Sequence, residues 1–511
     1  MSQYPPTLLA DFYKVSHRQQ YPAGTEYVYS TWIARGSRLE GVNHVVAFGI
    51  QAFVQKYLID YFNDNFFDRP KQEVLDEYIR VIRFTLGVAK PDASHLADLH
   101  DLGYLPLEIK AVPEGTLVPT RVPMATIENT DARFFWLTNY IETLFSVESW
   151  MPSTSATIAF EYRKLIQAYA EKTGGDLTAV PFQGHDFSMR GMASVEAAAA
   201  SGAGHLLSFT GTDTIPAILF HEKYYGADIE RELVGASIPA TEHSVMCAYG
   251  NEGEIETFRH LIEDLYPGGF VSVVSDTWDL WRVLGEYLPE LKDKILARDG
   301  RVVIRPDSGD PVDIIAGTEL QWQRNNPADE YTLSEKGVIE VLWDLFGGTV
   351  NEKGYKVLDP HIGAIYGDSI TLDRADRIMD RLEAKGFCST NVVFGIGSYT
   401  YQYNTRDTFM FALKSTWVQV NGVERQIFKD PITDDGTKKS LKGRVVVIDN
   451  KKLYPKTQNV WSTSLSVIDK LTLEQANGNE DVDVLKTVFF EGTPMNVQTL
   501  GEIRERLLSN L

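Results

Sequence analysis

Cysteine is nearly absent: Cys247 and Cys388 are the only two in 511 residues. So few thiols exclude a disulfide scaffold and a cysteine-based metal site, and both are read as reduced. Long apolar runs are missing too, since no stretch reaches the roughly 18 consecutive apolar residues that a membrane span needs. The opening residues Met1 to Pro6 lack the basic and then apolar regions of a secretory leader. A soluble, cytoplasmic chain with no membrane attachment is therefore expected. There is no repeat of fixed period and no low-complexity linker. Positive charge is in deficit, with 49 Lys and Arg against 70 Asp and Glu and a formal net charge of −21. That balance excludes a general binder of nucleic acid, whose affinity rests on neutralising phosphates. Any small polyanionic ligand must meet a local cluster of Lys and Arg.

What is present is the composition of a well-packed globular protein, 43% hydrophobic and 11% aromatic, long enough for two or three compact units. From Ile50 to Phe62 the apolar residues recur at steps of three and four, which predicts a helix. Between Leu105 and Ile127, the runs Leu107 to Val112, Thr116 to Val118 and Ala125 to Ile127 are separated by Pro and Gly turns and read as a small antiparallel sheet. After about residue 150 the rhythm changes. β-branched runs ending in small or polar residues alternate with helical stretches such as the one through Trp281 and Leu288, a pattern that points to parallel strands in a barrel or doubly wound sheet. Beyond about residue 400, short strands are expected at Trp417 to Val420, Gln426 to Phe428 and Arg444 to Ile448. The expected organisation is residues 1–148 as the first part of an α+β domain, 149–400 as the α/β unit, and 401–511 as the second part of the α+β domain.

In a parallel α/β barrel the chemistry gathers where strands end. The expected strand ends are Ser208 to Asp213, Ser237 to His243, Val271 to Asp276, Val302 to Gly309, Ile362 to Asp368 and Val392 to Ser398. They supply Asp213, Glu242, His243, Asp276, Arg305, Asp307, Asp368 and the glycine turn Gly395-Ile396-Gly397-Ser398. Small residues in such a turn let backbone N–H groups approach a phosphate, although the third glycine of a dinucleotide fingerprint is missing and a structural turn reads equally well. Arg406, Lys414 and Lys429 follow as concentrated positive charge or as solvated surface cations. Arg305 offers a fork for anions, and Asp307 can hold ribose hydroxyls or a Mg²⁺-bound group. His243 could act as base, metal ligand or phosphoryl acceptor, but no second His stands at a ligand spacing, which argues against zinc. Asp276 and Asp368 read equally well as helix caps. Phe187 and Arg190, just before the Ala-rich run Ala193 to Ala200, could sandwich a flat heteroaromatic ring, or Phe187 could be core.

Taken together, the blocks Asp11 to His17, Leu107 to Gly115, His185-Asp186-Phe187, Gly211 to Thr214, Glu242-His243-Ser244, Ser272 to Asp276, Arg305 to Gly309 and Phe428 to Pro431 resemble the nicotinamide phosphoribosyltransferase family, among the type II phosphoribosyltransferases. The resemblance covers nearly the whole chain. It implies an irregular or incomplete α/β barrel plus a discontinuous α+β domain built from both termini. It also implies transfer of the phosphoribosyl group of 5-phosphoribosyl-1-pyrophosphate (PRPP) to nicotinamide, in a homodimer with shared active sites. Phe187 and a neighbouring subunit's Tyr13 would sandwich the pyridine ring, with Arg190 beside it and Asp213 accepting from the carboxamide. A carboxylate there would repel nicotinate. Ser237 and Ser272 would join the substrate-binding set. Asp307, Gly367 and the adjacent Asp368 would hold the ribose, and Gly397, Ser398 and Arg406 the 5-phosphate. Arg305, Lys414, Lys429 and, across the dimer, Arg35 would face pyrophosphate or ATP phosphates. The family has a second glycine where Ser398 stands, and a longer glycine run where Tyr399 follows. Lys438 to Arg444 resembles the family in looser register.

The resemblance further implies ATP as co-substrate, with His243 as phosphoacceptor and Glu242 orienting its ring. Mg²⁺ is expected to travel with PRPP or pyrophosphate near Asp307, without direct protein ligands that can be assigned. Rival readings are a nicotinate phosphoribosyltransferase, a non-catalytic signalling or binding protein on the same scaffold, and a barrel hydrolase using Asp276 and Asp307, which leaves the cations and the glycine turn unexplained.

Overall fold

The computed structural model describes residues 4–318, 331–433, 439–453 and 465–511. The chain divides into two compact units, Met1–Thr157 with His221–Ala227 and Asn404–Asn510, and Ile158–Phe220 with Asp228–Tyr403.

The first unit is built on a seven-stranded antiparallel sheet that interleaves both ends of the chain, in the order Val423–Gln426, Phe411–Val420, Thr25–Ala34, Pro123–Asn129, Leu107–Ala111, Lys486–Phe490 and Thr493–Pro494. The long interior strand Thr25–Ala34, third in that order, is buried over most of its length. Trp32 is fully buried there, stacked on Phe411 at 5.2 Å and edge-on to Phe145. The expected run at Thr116 to Val118 leaves this sheet, because Leu117–Pro119 pairs with His44–Val46 instead. The run placed at Gln426 to Phe428 forms earlier, as Val423–Gln426. The expected helix at Ile50 starts as drawn but widens into π-type turns that carry it on to Phe67.

Glu114, within one of the blocks that carried the family resemblance, is structural. Its buried carboxylate accepts from Gln51 N at 2.7 Å, Gly49 N at 3.2 Å and Tyr225 Oη at 2.8 Å, and so satisfies N–H groups at the start of the helix that begins at Ile50. Gly115 next to it has φ +84°, and a Cβ there would stand 2.4 Å from the Ile503 carbonyl oxygen. Backbone packing, not chemistry, fixes that block.

The second unit carries a six-stranded parallel sheet in the order Gly211–Thr212, Gly184–Asp186, Val392–Ile396, Ile362–Tyr366, Asp299–Arg305 and Gly268–Val274. The strand expected over Ser237 to His243 is not one. Pro239 lacks an N–H, and the segment makes only isolated bridges, Gly211 with Ala236 at one edge of the sheet and Ala240 with Ser272 at the other. One short segment thereby touches both edges and curls the sheet into an irregular barrel. Helices on the outside begin with their own caps, Asp279, Asp310 and Thr371. None of the described helices is long and apolar enough to cross a membrane.

Replacing Glu114 by Ala removes the acceptor of three buried hydrogen bonds. The expected loss is about 3 kcal/mol of folding stability, read as a lower denaturation midpoint; a midpoint within error of wild type contradicts this reading.

Candidate active site

Parallel strands deliver their C-terminal ends to one side, and the residues there converge. His185 and Phe187 flank Asp186 and lie side by side with ring centroids 4.8 Å apart. Phe187 N donates to Ile396 O at 3.0 Å, which ties the end of this strand to the glycine turn. Gly395 is needed there, because a Cβ would lie 2.5 Å from the Phe187 ring. The Arg305 guanidinium stands 5.9 Å from the centroid of the same ring.

Asp213 receives Ser237 Oγ at 2.6 Å and His185 Nε2 at 2.9 Å. Burial pushes its carboxyl up, but the hydrogen bond and charge of His185, the hydroxyl of Ser237 and the charge of Arg305 prevail and hold it below the usual carboxylate range. It is thus an ionised acceptor at neutral pH. With Phe187 and Ser272 it lines a largely apolar cavity of about 410 Å³ walled by Val303, Ile365 and Val393. Ser272 Oγ is buried there without a hydrogen-bond partner.

A second cluster stands at the neighbouring strand ends. Arg305 is half-buried and donates from Nη2 to Thr241 O at 2.9 Å, while the same nitrogen lies 3.5 Å from Asp307 Oδ2. Asp307 N donates to Asp276 Oδ2 at 2.8 Å, and Ser308 Oγ donates to the same oxygen. Asp276 therefore shapes this loop rather than capping a helix; Asp279 does the capping. Burial pushes the Asp307 carboxyl up, and Asp276 and Asp368 add to this while Arg305 and His243 oppose it. Gly367 is packed so closely that a Cβ would stand 2.1 Å from Asp307 Oδ1.

His243 begins the helix His243–Ala248, half exposed, with Nε2 3.9 Å from Asp307 Oδ2 and Nδ1 3.3 Å from Thr277 Oγ1. The expectation that Glu242 orients this ring is corrected: its carboxylate is taken by Ser244 Oγ, and Thr277 is the ring's neighbour. Next to the glycine turn, Gly191 packs on Ser398, since a Cβ there would meet Ser398 Oγ at 2.0 Å, which brings the exposed Arg190 turn beside Gly397 and Ser398. Asp368 is exposed at the end of its strand.

The structure thus gathers Phe187, Arg190, Asp213, Ser237, Ser272, His243, Arg305, Asp307, Gly367, Asp368, Gly397 and Ser398 in one unit. Tyr13, Arg35, Arg406, Lys414 and Lys429 belong to the other unit. There Tyr13 is exposed beside Lys14, whose buried ammonium pairs with Glu142, and Glu142 also holds Lys414 at 3.4 Å. Arg406 pairs with Asp407 at 3.2 Å. Arg35, Lys414 and Lys429 line a cavity of about 250 Å³. Lys438 lies outside the described residues. Sequence reasoning missed Thr241, Thr277 and the pairing of His185 with Asp213. The alternation of His185 and Phe187 along one strand was the available signal for the last.

A curled parallel sheet whose strand ends carry these groups, together with a separate antiparallel sheet drawn from both termini, is the architecture of a type II phosphoribosyltransferase. Residues 182–492 match the nicotinate phosphoribosyltransferase (NAPRTase) family, and residues 7–88 match the nicotinamide phosphoribosyltransferase N-terminal domain. The chain is 51% identical to a nicotinamide phosphoribosyltransferase of Acinetobacter baylyi, over 98% of this chain and 96% of that one. It is 34% identical to the Xanthomonas campestris protein of the same name, over 97% of each. A nicotinate-nucleotide pyrophosphorylase structure from Pyrococcus furiosus shares the fold with a TM-score of 0.56 at 15% identity, covering 100% of this chain and 98% of that one. The chain belongs to the nicotinamide phosphoribosyltransferase family.

Asp307 offers a test that needs no ligand. Its proton is held more tightly in the folded chain than in the unfolded one. Its contribution to stability is complete below the ordinary carboxylate value near ~4 and is lost as pH rises through the folded value. As pH rises from the ordinary carboxylate value through the raised folded value, the denaturation midpoint of wild type should therefore fall relative to that of Asp307→Asn. Parallel pH profiles would show that Asp307 titrates normally.

Proposed function

We propose that this chain transfers the 5-phosphoribosyl group of PRPP to nicotinamide, forming nicotinamide mononucleotide and releasing pyrophosphate in NAD salvage. The observation that carries this reading is the ionised Asp213 at the edge of a cavity beside the Phe187 ring. An ionised carboxylate accepts from the carboxamide NH₂ of the amide and repels the carboxylate of the acid. This disfavours the nicotinate reading. Phe187 gives the pyridine ring a stacking face, and Tyr13 of a second subunit would supply the other, in a homodimer with shared sites.

The pyridine nitrogen has a free lone pair and needs no general base. It attacks C1 of the ribose as the C1–O bond to pyrophosphate breaks, through an oxocarbenium-like state. Asp307, with Gly367 and Asp368, holds the ribose hydroxyls. Gly397 and Ser398 hold the 5-phosphate and Arg305 the pyrophosphate; in the other unit Arg35, Lys414 and Lys429 form a cation cluster for pyrophosphate or the phosphates of ATP, and Arg406 is a further phosphate-binding candidate. Mg²⁺ fits beside Asp307 and Asp276, each of which has a buried carboxylate oxygen without a hydrogen-bond partner, a hard donor of the kind that ion prefers. When bound with pyrophosphate it would neutralise departing charge.

His243 is the candidate phosphoacceptor for ATP. A ring nitrogen attacks the γ-phosphorus, the bond to ADP breaks, and water later cleaves the N–P bond to release phosphate. Thr277 and Asp307 flank the ring and limit its rotation.

The test is product formation from PRPP and Mg²⁺ with nicotinamide or nicotinate, with and without ATP. Wild type should consume the amide at concentrations where the acid does not react, and preference for the acid would rename the activity. His243→Ala should retain PRPP-dependent turnover and lose its stimulation by ATP, together with any acid-labile phosphate on the protein. Full stimulation in that variant would remove His243 from the role.

A further inference from the structure

The cation-lined cavity of the first unit contains a residue that neither the strand-end pattern nor the family blocks assign. Seven cations, Arg35, Arg121, Lys414, Lys429, Lys439, Lys442 and Lys470, surround its 250 Å³ against one carboxylate, Asp469. In a chain of net charge −21 this concentration is costly without an anion to hold. Some of the charges are already satisfied: Lys414 by Glu142 at 3.4 Å, Lys439 by Asp430 at 3.0 Å and Lys470 by Asp469 at 3.8 Å. Arg121 is exposed and has no ion-pair partner among the described residues.

Its backbone makes the position informative. Arg121 has φ +69°, in the left-handed region that glycine enters freely and other residues enter at a cost of about 1 kcal/mol. The turn is pinned there by three hydrogen bonds, Thr120 N to Asn43 O at 2.9 Å, Arg121 N to Ala34 O at 2.7 Å and Val122 N to Pro119 O at 3.1 Å. The bond to Ala34 sets Arg121 against the residue preceding Arg35, whose Nε is itself fixed on Met410 O at 3.1 Å. A long guanidinium side chain is thus kept at a place where the local backbone favours none. The compensation lies in what the side chain faces.

We infer that Arg121 is a binding residue for a condensed phosphate chain in this cavity, acting as a second fork beside Arg35 on pyrophosphate or on the triphosphate of a nucleotide. The inference rests on the reading that Arg35, Lys414 and Lys429 receive such a chain.

Isothermal titration of the full-length protein with pyrophosphate, and separately with a non-hydrolysable ATP analogue, tests it in wild type, Arg121→Gly, Arg121→Lys and Lys429→Ala. Arg121→Gly removes the fork and relieves the backbone, so affinity should fall about tenfold while the thermal midpoint stays level or rises. Arg121→Lys, which keeps the charge, should recover part of the loss. A loss for both titrants places Arg121 on the shared diphosphate, and a loss for the analogue alone places it on the nucleotide. If Arg121→Gly binds as wild type while Lys429→Ala does not, Arg121 has no such role and the cavity reading stands. If neither variant changes affinity, the cavity reading falls with it. A fall in midpoint and affinity together, with no recovery in Arg121→Lys, makes Arg121 structural and overturns the inference.

Discussion

Two backbone bridges, Gly211 to Ala236 and Ala240 to Ser272, join the open edges of the parallel sheet to a single segment, and the second unit's chemistry depends on that closure. The segment places Ser237 Oγ on Asp213 at one edge and Thr241 O on Arg305 at the other, and then runs into Glu242 and His243. Thr241 also uses its Oγ1 to accept from Val274 N at 2.9 Å, which stitches the segment to the edge strand. A continuous seventh strand would pair with both edges more strongly, but every second side chain would then turn to the far face. Pro239 interrupts the ladder, so nearby residues of this segment reach both Asp213 and Arg305.

Two carboxylates in this unit are shifted in opposite directions by their surroundings. Asp213 is buried in part, yet the hydrogen bonds gathered on it from His185 and Ser237 keep it ionised. Asp307 lies among Asp276, Asp368 and Arg305, and burial prevails over its cationic neighbours. The first arrangement suits a fixed acceptor for an amide. The second suits a group that holds hydroxyls or a bound cation.

Much of this was legible in the sequence because it depends on local pattern. β-branched runs ending in Asp213, Asp276, Gly309, Asp368 and Ser398 marked strand ends, and strand ends are where a parallel sheet exposes polar groups. The long interior strand Thr25–Ala34 was not legible, since it is buried on both faces and lacks alternation. The false strand at Ser237 to His243 had the right composition, and only its pairing with two distant edges at once showed that it is a closure. Thr277 and Thr241 act through one hydroxyl and one carbonyl, which no residue pattern announces. Glu114 shows the converse: its block carried the family resemblance, but its role is to cap a helix.

The most direct measurement is the ratio of kcat/KM for nicotinamide to that for nicotinate, in wild type and in Asp213→Ala, with PRPP saturating. If an ionised Asp213 held by Ser237 and His185 selects the amide, the ratio is large in wild type and collapses toward unity in the variant while the fold is retained. An unchanged ratio in Asp213→Ala would contradict the assignment of selectivity to this carboxylate.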